Sequence, residues 1–366
     1  MARALRERGV EVTLIGSYQQ HPIQMSGPTK MVWIGPARPG WLYFVPFLLR
    51  AWIRVLYEIV FHKNRVVILD VATFCCAFPV DVLSKLGLVH VRVVMDLRTF
   101  DFGSSGQEDS FGDRMRKLLT IVALLYGRML HFGLSAITPR LASRALELGG
   151  NRHVTVWGSG HSAPPTIEVR SPHPTLNAIE GLAANGFLVL YHGSITENRG
   201  LARAIDGIRM ARQRGARVFF AIVGSGPAEG LLKDRIKELD CHDCVGIFPA
   251  IPQAGVFKLI SYCRLGVMTY PDTDYWSYNY PIKLAEFLAM GKPVLCTDIQ
   301  TFKDAVGDPR CLVIVRDAKP ETIADAILAC IQDPDAMALR SGVAERQSRE
   351  MTWGARAGEL LQFIQD

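Results

Sequence analysis

The chain has 366 residues, 49% of them hydrophobic and 21% charged, with a formal net charge of +6; that length suits two domains, each with a sizeable core. The charge is uneven: residues 1–175 carry 20 Lys and Arg against 12 Asp and Glu, and the remainder 21 against 23. The basic amino-terminal half asks for an anionic partner, and the lack of any Lys/Arg-rich run with interleaved aromatics argues against nucleic acid and for a membrane surface or a lipid phosphate.

Four of the eight cysteines, Cys263, Cys296, Cys311 and Cys330, stand singly in apolar runs, as buried thiols of a reducing compartment do. Cys241-His242-Asp243-Cys244 has zinc-like spacing but no second pair, so it reads as a loop with two thiols. No carboxylate cluster suggests a metal, and no metal or other cofactor is expected. The opening residues are charged throughout and do not form a signal peptide.

In chain order, Met1–Gly9 reads as the end of a helix and Val10–Ile15 as the strand after it. Trp41–Phe61 is an apolar stretch broken by Arg50, Arg54 and Glu58, which are spaced by four and so line one face of a helix. With Trp41, Tyr43, Phe44, Phe47, Trp52, Tyr57 and Phe61 as aromatic anchors, the pattern fits a helix lying in a membrane interface; packing on a sheet is the alternative. Arg114–Leu130 is a second basic, apolar candidate.

Val66–Leu69 and Val89–Met95 read as strands, with Asp96-Leu97-Arg98 at the end of the second, where open parallel sheets bind ligands. Asp96 and Arg98 are candidates to meet an acceptor; a cap and a salt bridge are the structural alternative. Phe102–Gly112 reads as a Gly/Ser-rich loop, and Ala163–Pro174 as a Pro-rich linker. His161 suits a structural role.

Leu188–His192 is a strand followed by Gly193-Ser194 and then Arg199-Gly200, where Gly193 lets backbone approach a ligand. Arg217–Val223 leads to Gly224-Ser225-Gly226-Pro227, a near match to a dinucleotide fingerprint with Glu229 in the third glycine position. Tyr278-Asn279-Tyr280-Pro281 then opens a helix, with Pro281 suited to its first position and Gly291 to the position past its end. Leu284, Phe287 and Leu288 form its apolar face. Lys283 falls in the first turn, beside free N–H groups and the positive dipole end, and Glu286 lies one turn deeper. Phosphate plus a ribose diol suits this pair; a solvated Lys–Glu pair is the alternative.

Pro281-x-Lys283-x-x-Glu286-Phe287-x-Ala289-x-Gly291-x-Pro293-Val294 resembles the donor-binding helix of glycosyltransferase family 4, retaining enzymes of the GT-B fold. The resemblance implies an α/β chain of two Rossmann-like, doubly wound domains facing a cleft. It places an acceptor-binding domain at 1–165, a linker at 166–186, a nucleotide-sugar-binding domain at 187–350 and a closing helix at 351–366. It implies transfer of a sugar from a nucleotide diphosphate sugar to a lipid-linked or glycan acceptor, with retention, on the cytoplasmic face of the plasma membrane. Asp96 matches a catalytic-region position, and Arg98 is expected to meet an acceptor phosphate. Arg199 stands where the family's phosphate-binding Lys does, and Ser194 replaces the usual Arg. Gly224 and Gly226 match a Gly-x-Gly-Pro turn, and Ile247 lies on the strand bracketing the base. The stretch Tyr278 to Ile282, with Glu286, lines the donor; Tyr278 occupies the place of a carboxylate that usually contacts the sugar. The family opens with a strand and Gly-rich loop before the first helix, so an upstream start is expected. A nucleotide-sugar 2-epimerase and a non-catalytic sugar-nucleotide-binding homologue are the rivals.

Overall fold

The computed structural model describes residues 1–18, 30–36, 41–62, 65–98, 111–162 and 173–366. The chain divides into two units, Met1–Gly158 with Trp353–Asp366, and Ser159–Thr352.

The first unit begins with α1 (Ala2–Arg6), β1 (Thr13–Tyr18), β2 (Lys30–Pro36) and α2 (Trp41–His62). It continues through β3 (Val66–Asp70), a 3₁₀ turn (Val71–Ala77), α3 (Phe78–Lys85), β4 (Arg92–Leu97), α4 (Phe111–Leu130), β5 (Gly133–Ala136), α5 (Pro139–Glu147) and β6 (Val154–Val156). Strands β3-β4-β5-β6 form one parallel sheet in that order, with Asp70 opposite Asp96 and Asp96 opposite Ser135. β1 and β2 form a separate parallel pair. A cavity of about 430 Å³ lies between β1 and β3, floored by α2.

Helix α2 is apolar on two sides. Ala51, Val55 and Ile59 are buried against Leu69, Cys76, Val80 and Val93, while Val45, Leu49, Ile53, Val60 and Phe61 are exposed. The row of Arg50, Arg54 and Glu58 along one face of this helix ends on a buried member. Glu58 is 4% exposed; it accepts from Lys30 Nζ at 3.0 Å and from Arg54 and lies 3.4 Å from the Thr13 hydroxyl. A carboxylate turned inward must find donors, and β1 and β2 provide them. The side chains of Trp41, Tyr43 and Phe44 lie outside the described residues, as does 99–110, which holds most of the expected Gly/Ser-rich loop.

The second unit carries α6 (Pro174–Asn185), β7 (Phe187–Ser194), α7 (Leu201–Gln213), β8 (Val218–Ser225), α8 (Glu229–Glu238), β9 (Val245–Phe248) and α9 (Gln253–Tyr262). Then follow β10 (Leu265–Met268), α10 (Asp274–Tyr278), α11 (Ile282–Ala289), β11 (Val294–Thr297), α12 (Gln300–Asp304), β12 (Leu312–Val315), α13 (Pro320–Gln332) and α14 (Pro334–Ser348). The closing helix α15 (Trp353–Gln365) belongs to the first unit, where Ala357 and Leu360 bury with Ala4, Leu5 and Trp157. The linker expected at 166–186 lies outside the described residues as far as 172; Pro174–Asn185 is helix α6, with Leu176 and Ile179 in the core.

Among the described residues the second unit has six strands, all parallel, in the order β12-β11-β10-β7-β8-β9. Leu188–Tyr191, Leu265–Met268 and Val294–Thr297 are buried throughout, the continuous apolar runs of a sheet covered on both faces. The chain runs outward through β7, β8 and β9, then returns to the other side of β7 at β10. Open parallel sheets bind ligands outside the carboxyl ends of the strands at such a reversal.

Candidate active site

Two loops leave the sheet at the reversal, one after β7 and one after β10. The first carries Gly193, Ser194 and Arg199; the second carries Tyr278 to Tyr280 and leads into α11. Leu284, Ala285, Phe287 and Leu288 are buried, which fixes the rotation of α11 and leaves Lys283 and Glu286 half-buried on the opposite side. The expected turn chemistry holds at the far end, where Gly291 has φ +63. At the near end the helix starts one residue later than expected: Pro281 is its N-cap.

Lys283 lies across the backbone of Gly193. A Cβ on Gly193 would sit 2.4 Å from Lys283 Cε and 3.0 Å from Nζ, and φ there is +113. Both the close approach and the backbone conformation therefore require glycine. Lys283 has neither an ion pair nor a hydrogen bond among the described residues. Burial, then the neighbouring Arg199 charge, pushes its ammonium down to about 8, with Glu286 opposing. A cation crowded by a second cation and lacking a bonded anion is poised to receive one.

Arg199 is held from behind by aromatic rings. Its guanidinium carbon stands 4.4 Å from the Trp276 ring centroid and 5.0 Å from that of Tyr270. Trp276 is itself tied to this loop, donating from Nε1 to the Asn198 carbonyl at 2.9 Å. Arg199 Nε is buried without a partner.

Glu286 is hydrogen-bonded at one carboxylate oxygen and has a neutral imidazole near the other. Oε1 accepts from Gln253 Nε2 at 2.9 Å, and Oε2 lies 3.6 Å from His192 Nε2. Burial, with Lys283 next, pushes His192 down to about 3, so its ring is neutral. Sequence reading missed both neighbours. His192 stands directly before Gly193, a signal that was available. Gln253 comes from α9, and nothing local in the sequence ties it to Glu286.

The other donor candidates fall into two groups. Gly224 and Gly226 pack backbone to backbone against the first loop: Cβ atoms there would lie 1.9 Å from the Gly193 carbonyl oxygen and 2.2 Å from that of Ile195. Asn279 and Tyr280 are buried, and the Asn279 amide donates to the Tyr275 carbonyl at 2.7 Å. Ser194 is exposed, Tyr278 half-buried and Ile282 52% exposed. Ile247 sits on the edge strand β9, separated from β7 by β8.

In the first unit, Asp96 and Arg98 are paired with each other. Arg98 Nε donates to Asp96 Oδ2 at 2.6 Å, and the Ser135 hydroxyl to Oδ1 at 2.5 Å. The Arg98 guanidinium lies over Trp157, 3.1 Å from its ring centroid. That is the salt bridge of the structural alternative; Arg98 Nη2 alone is a buried donor without a partner. His161 bonds the carbonyls of Ser162 and Ser348 at 2.7 and 2.9 Å, a structural role. Among the described residues no group of three His, Cys, Asp or Glu is placed to hold a metal.

Residues 186–333 match the family described as Glycosyl transferases group 1. The likeness to group 1 glycosyltransferases thus lies in the second unit. The matched segment contains every residue of the Lys283–Glu286–Arg199 constellation. The amylovoran biosynthesis glycosyltransferase AmsK of Erwinia amylovora is 29% identical over 30% of this chain and 27% of its own. The D-inositol 3-phosphate glycosyltransferase of Thermobispora bispora is 25% identical over 55% of this chain and 51% of its own. The matches thus span about half or less of these relatives. Among solved structures, Anabaena HepE in complex with UDP aligns with TM-score 0.68 and 15% identity, over 92% of this chain and 86% of that one. The fold is that of the GT-B glycosyltransferases.

Proposed function

We propose that the protein transfers a sugar from a nucleotide diphosphate sugar to a hydroxyl of a lipid-linked or polysaccharide acceptor, with retention at the anomeric carbon. One observation carries the reading: an unpaired ammonium, Lys283, lies against Gly193 at the switch point, with Arg199 as a second cation and Glu286 one turn away. In the reaction the bond between the anomeric carbon and the diphosphate oxygen breaks, and its electron pair leaves on the phosphate. The acceptor oxygen bonds to the anomeric carbon and its proton is released. Negative charge grows on the diphosphate as the sugar gains oxocarbenium character. Lys283, Arg199 and the amino end of α11 stabilise that charge. Glu286, steadied by Gln253, holds the ribose diol. The complex of HepE with UDP supports a nucleotide-sugar donor. The deciding experiment is a binding screen of UDP-, GDP- and ADP-sugars followed by transfer assays. Donor conversion to its 2-epimer without an acceptor would favour the isomerase rival, and binding without turnover the non-catalytic one.

The ribose contact exists in both ground and transition states, so Glu286→Ala is expected mainly to raise the donor KM. The loss is about 1.5–3 kcal/mol, roughly 10- to 150-fold, for a charge-assisted bond. Steady-state kinetics at several donor concentrations check this; a fall in kcat with KM unchanged would move Glu286 from binding to chemistry.

The acceptor side is assigned to the first unit and to an anionic membrane surface, on the inner face of the plasma membrane. Among the described residues no helix is long and apolar enough to cross a bilayer. Three neighbouring helices nevertheless leave apolar side chains in solvent: Leu49 and Ile53 on α2, Phe78 on α3, and Leu118, Val122 and Met129 on α4. Patches of this kind mark interaction sites, and the basic charge of this half selects an anionic partner. Binding to vesicles containing anionic phospholipid is expected to weaken between 50 and 500 mM salt. It should fall at least tenfold in Ile53→Asp/Leu118→Asp, read by co-sedimentation with thermal unfolding as the control. Salt-independent binding would point to apolar insertion alone.

A further inference from the structure

A second cavity of the first unit, about 1020 Å³, opens at the amino edge of the β3-β4-β5 sheet. Asp96 and Arg98 stand toward the other edge: Arg92, in the cavity lining, comes four residues before Asp96 in β4, about 13 Å back along the strand. Helices α3, α4 and α15 all end at this cavity, through Lys85, Leu130 and Gln365. Their last carbonyls attract cations. Lys85 Nζ donates to the Met129 carbonyl at 2.7 Å, and Arg92 Nη1 to that of Ile364. Those two bonds leave most N–H groups of both side chains over. Arg65 and His90, also in the lining, are exposed, and their side chains have no hydrogen bond or ion pair among the described residues. Asp81 is the one carboxylate among the described lining residues. It is buried, accepts from the Tyr126 hydroxyl at 2.7 Å and lies 3.3 Å from His131 Nε2. The cavity therefore gathers cations and offers them no exposed anion.

The rest of the lining is largely apolar, with Val89, Met129, Leu130 and Phe132, and so is the rim. Gly87, at φ +73, turns the chain after α3. Leu86 and Leu88 on either side of it are each 67% exposed, and Met129 at the end of α4 is 72% exposed. Apolar side chains this exposed at the mouth of a pocket mark a contact site. A small soluble anion would engage the cations and leave the three rim side chains in water. A phospholipid engages both: its phosphate meets Arg65, Lys85 and Arg92, and its glycerol and acyl carbons meet Leu86, Leu88 and Met129. A choline headgroup would add its own cation to this cluster, so a headgroup ending in a neutral alcohol is favoured. We propose that this cavity binds the phosphate of an anionic phospholipid with a glycerol-type headgroup, while Leu86 and Leu88 enter the acyl layer. Such a site presupposes the anionic membrane partner proposed above, and adds a headgroup pocket to a diffuse attraction.

The test uses the 366-residue protein and dihexanoyl lipids below their micellar concentrations, titrated by calorimetry. Dihexanoyl-phosphatidylglycerol is expected to bind at least tenfold more tightly than dihexanoyl-phosphatidylcholine or glycerol 3-phosphate. Arg65→Glu/His90→Glu changes two side chains that bond nothing else, and should weaken phosphatidylglycerol at least tenfold with thermal unfolding unchanged. Lys85→Gln, which keeps a donor for the Met129 carbonyl and loses the charge, should act in the same direction. Leu86→Ser/Leu88→Ser should weaken the lipid and leave glycerol 3-phosphate as it was. Equal affinity for the two lipids would overturn the pocket, as would phosphatidylglycerol binding untouched by the charge variants. Glycerol 3-phosphate bound as tightly as the lipid would overturn the lipid assignment in favour of a soluble phosphate ester. Co-sedimentation with mixed phosphatidylcholine and phosphatidylglycerol vesicles separates this site from the broader membrane reading. Vesicle binding shared by the parent and every pocket variant, without short-chain binding, would keep the membrane reading and sink the pocket. Short-chain binding without vesicle binding would do the reverse. Ile53→Asp/Leu118→Asp lies outside the lining and should keep the short-chain lipid.

Discussion

Replacing Lys283 by alanine is expected to lower kcat by about 10²–10³-fold, the usual cost of removing one group that stabilises developing charge. Because charge on the diphosphate grows as its bond to the sugar breaks, kcat/KM should fall at least as far as kcat. The wild-type pH profile carries an independent signature. The Lys283 ammonium of the free enzyme loses its proton near pH 8 rather than at the ordinary lysine value, because burial and then Arg199 disfavour its charge. Below about pH 8 the cation is present; as pH rises through that value it is lost, so kcat/KM should fall on the alkaline side. Bound diphosphate favours the charged form, which moves the same limb of kcat to higher pH. Both limbs should vanish in Lys283→Ala. If Lys283 were a solvated surface group, the substitution would leave kinetics and profile near those of the parent, and the assignment of α11 to the active site would fall.

The second large effect is expected at Gly224→Ala. This residue faces Gly193 across the β7–β8 ladder, and the added methyl would sit 1.9 Å from the Gly193 carbonyl oxygen and 2.9 Å from its carbonyl carbon. The obstructing atoms are main chain of a central strand, so the strain cannot be relieved by rotating a side chain. A destabilisation of about 1–3 kcal/mol is expected from overpacking. Displacement of Gly193 should also disturb its contact with Lys283, lowering donor affinity in the fraction that remains folded. Gly230→Ala on α8 is the control, since open space surrounds its Cβ position; a gain of about 0.5–1 kcal/mol is expected there from helix propensity. Thermal unfolding and donor titration of both variants decide the matter. Equal melting temperatures would show that the ladder yields at low cost.

Much of the second unit was legible in the sequence because its signals are local. Apolar runs of buried parallel strands, Gly193 and Gly291 at positive φ, and Leu284, Phe287 and Leu288 at helical spacing each depend on a few adjacent residues. The same spacing put Lys283 and Glu286 on one side of α11. What tertiary structure alone decided are contacts between distant segments. Gln253 reaches Glu286 from another helix, and Trp276 and Tyr270 back Arg199 from the loop after β10. Gly224 and Gly226 read as ligand-facing glycines, yet their conformation answers to carbonyls of the neighbouring strand end. Glu58 read as one of three charges on one face of a helix; that it is buried and bonded to Lys30, 28 residues earlier, was not visible there. Asp96 and Arg98 were visible as an acid and a base at a strand end. Their mutual bond and the Ser135 hydroxyl opposite became visible only once β4 and β5 were paired in register. Sequence periodicity determines which face of an element is apolar; which polar groups meet depends on sheet order, and that depends on how the whole chain packs.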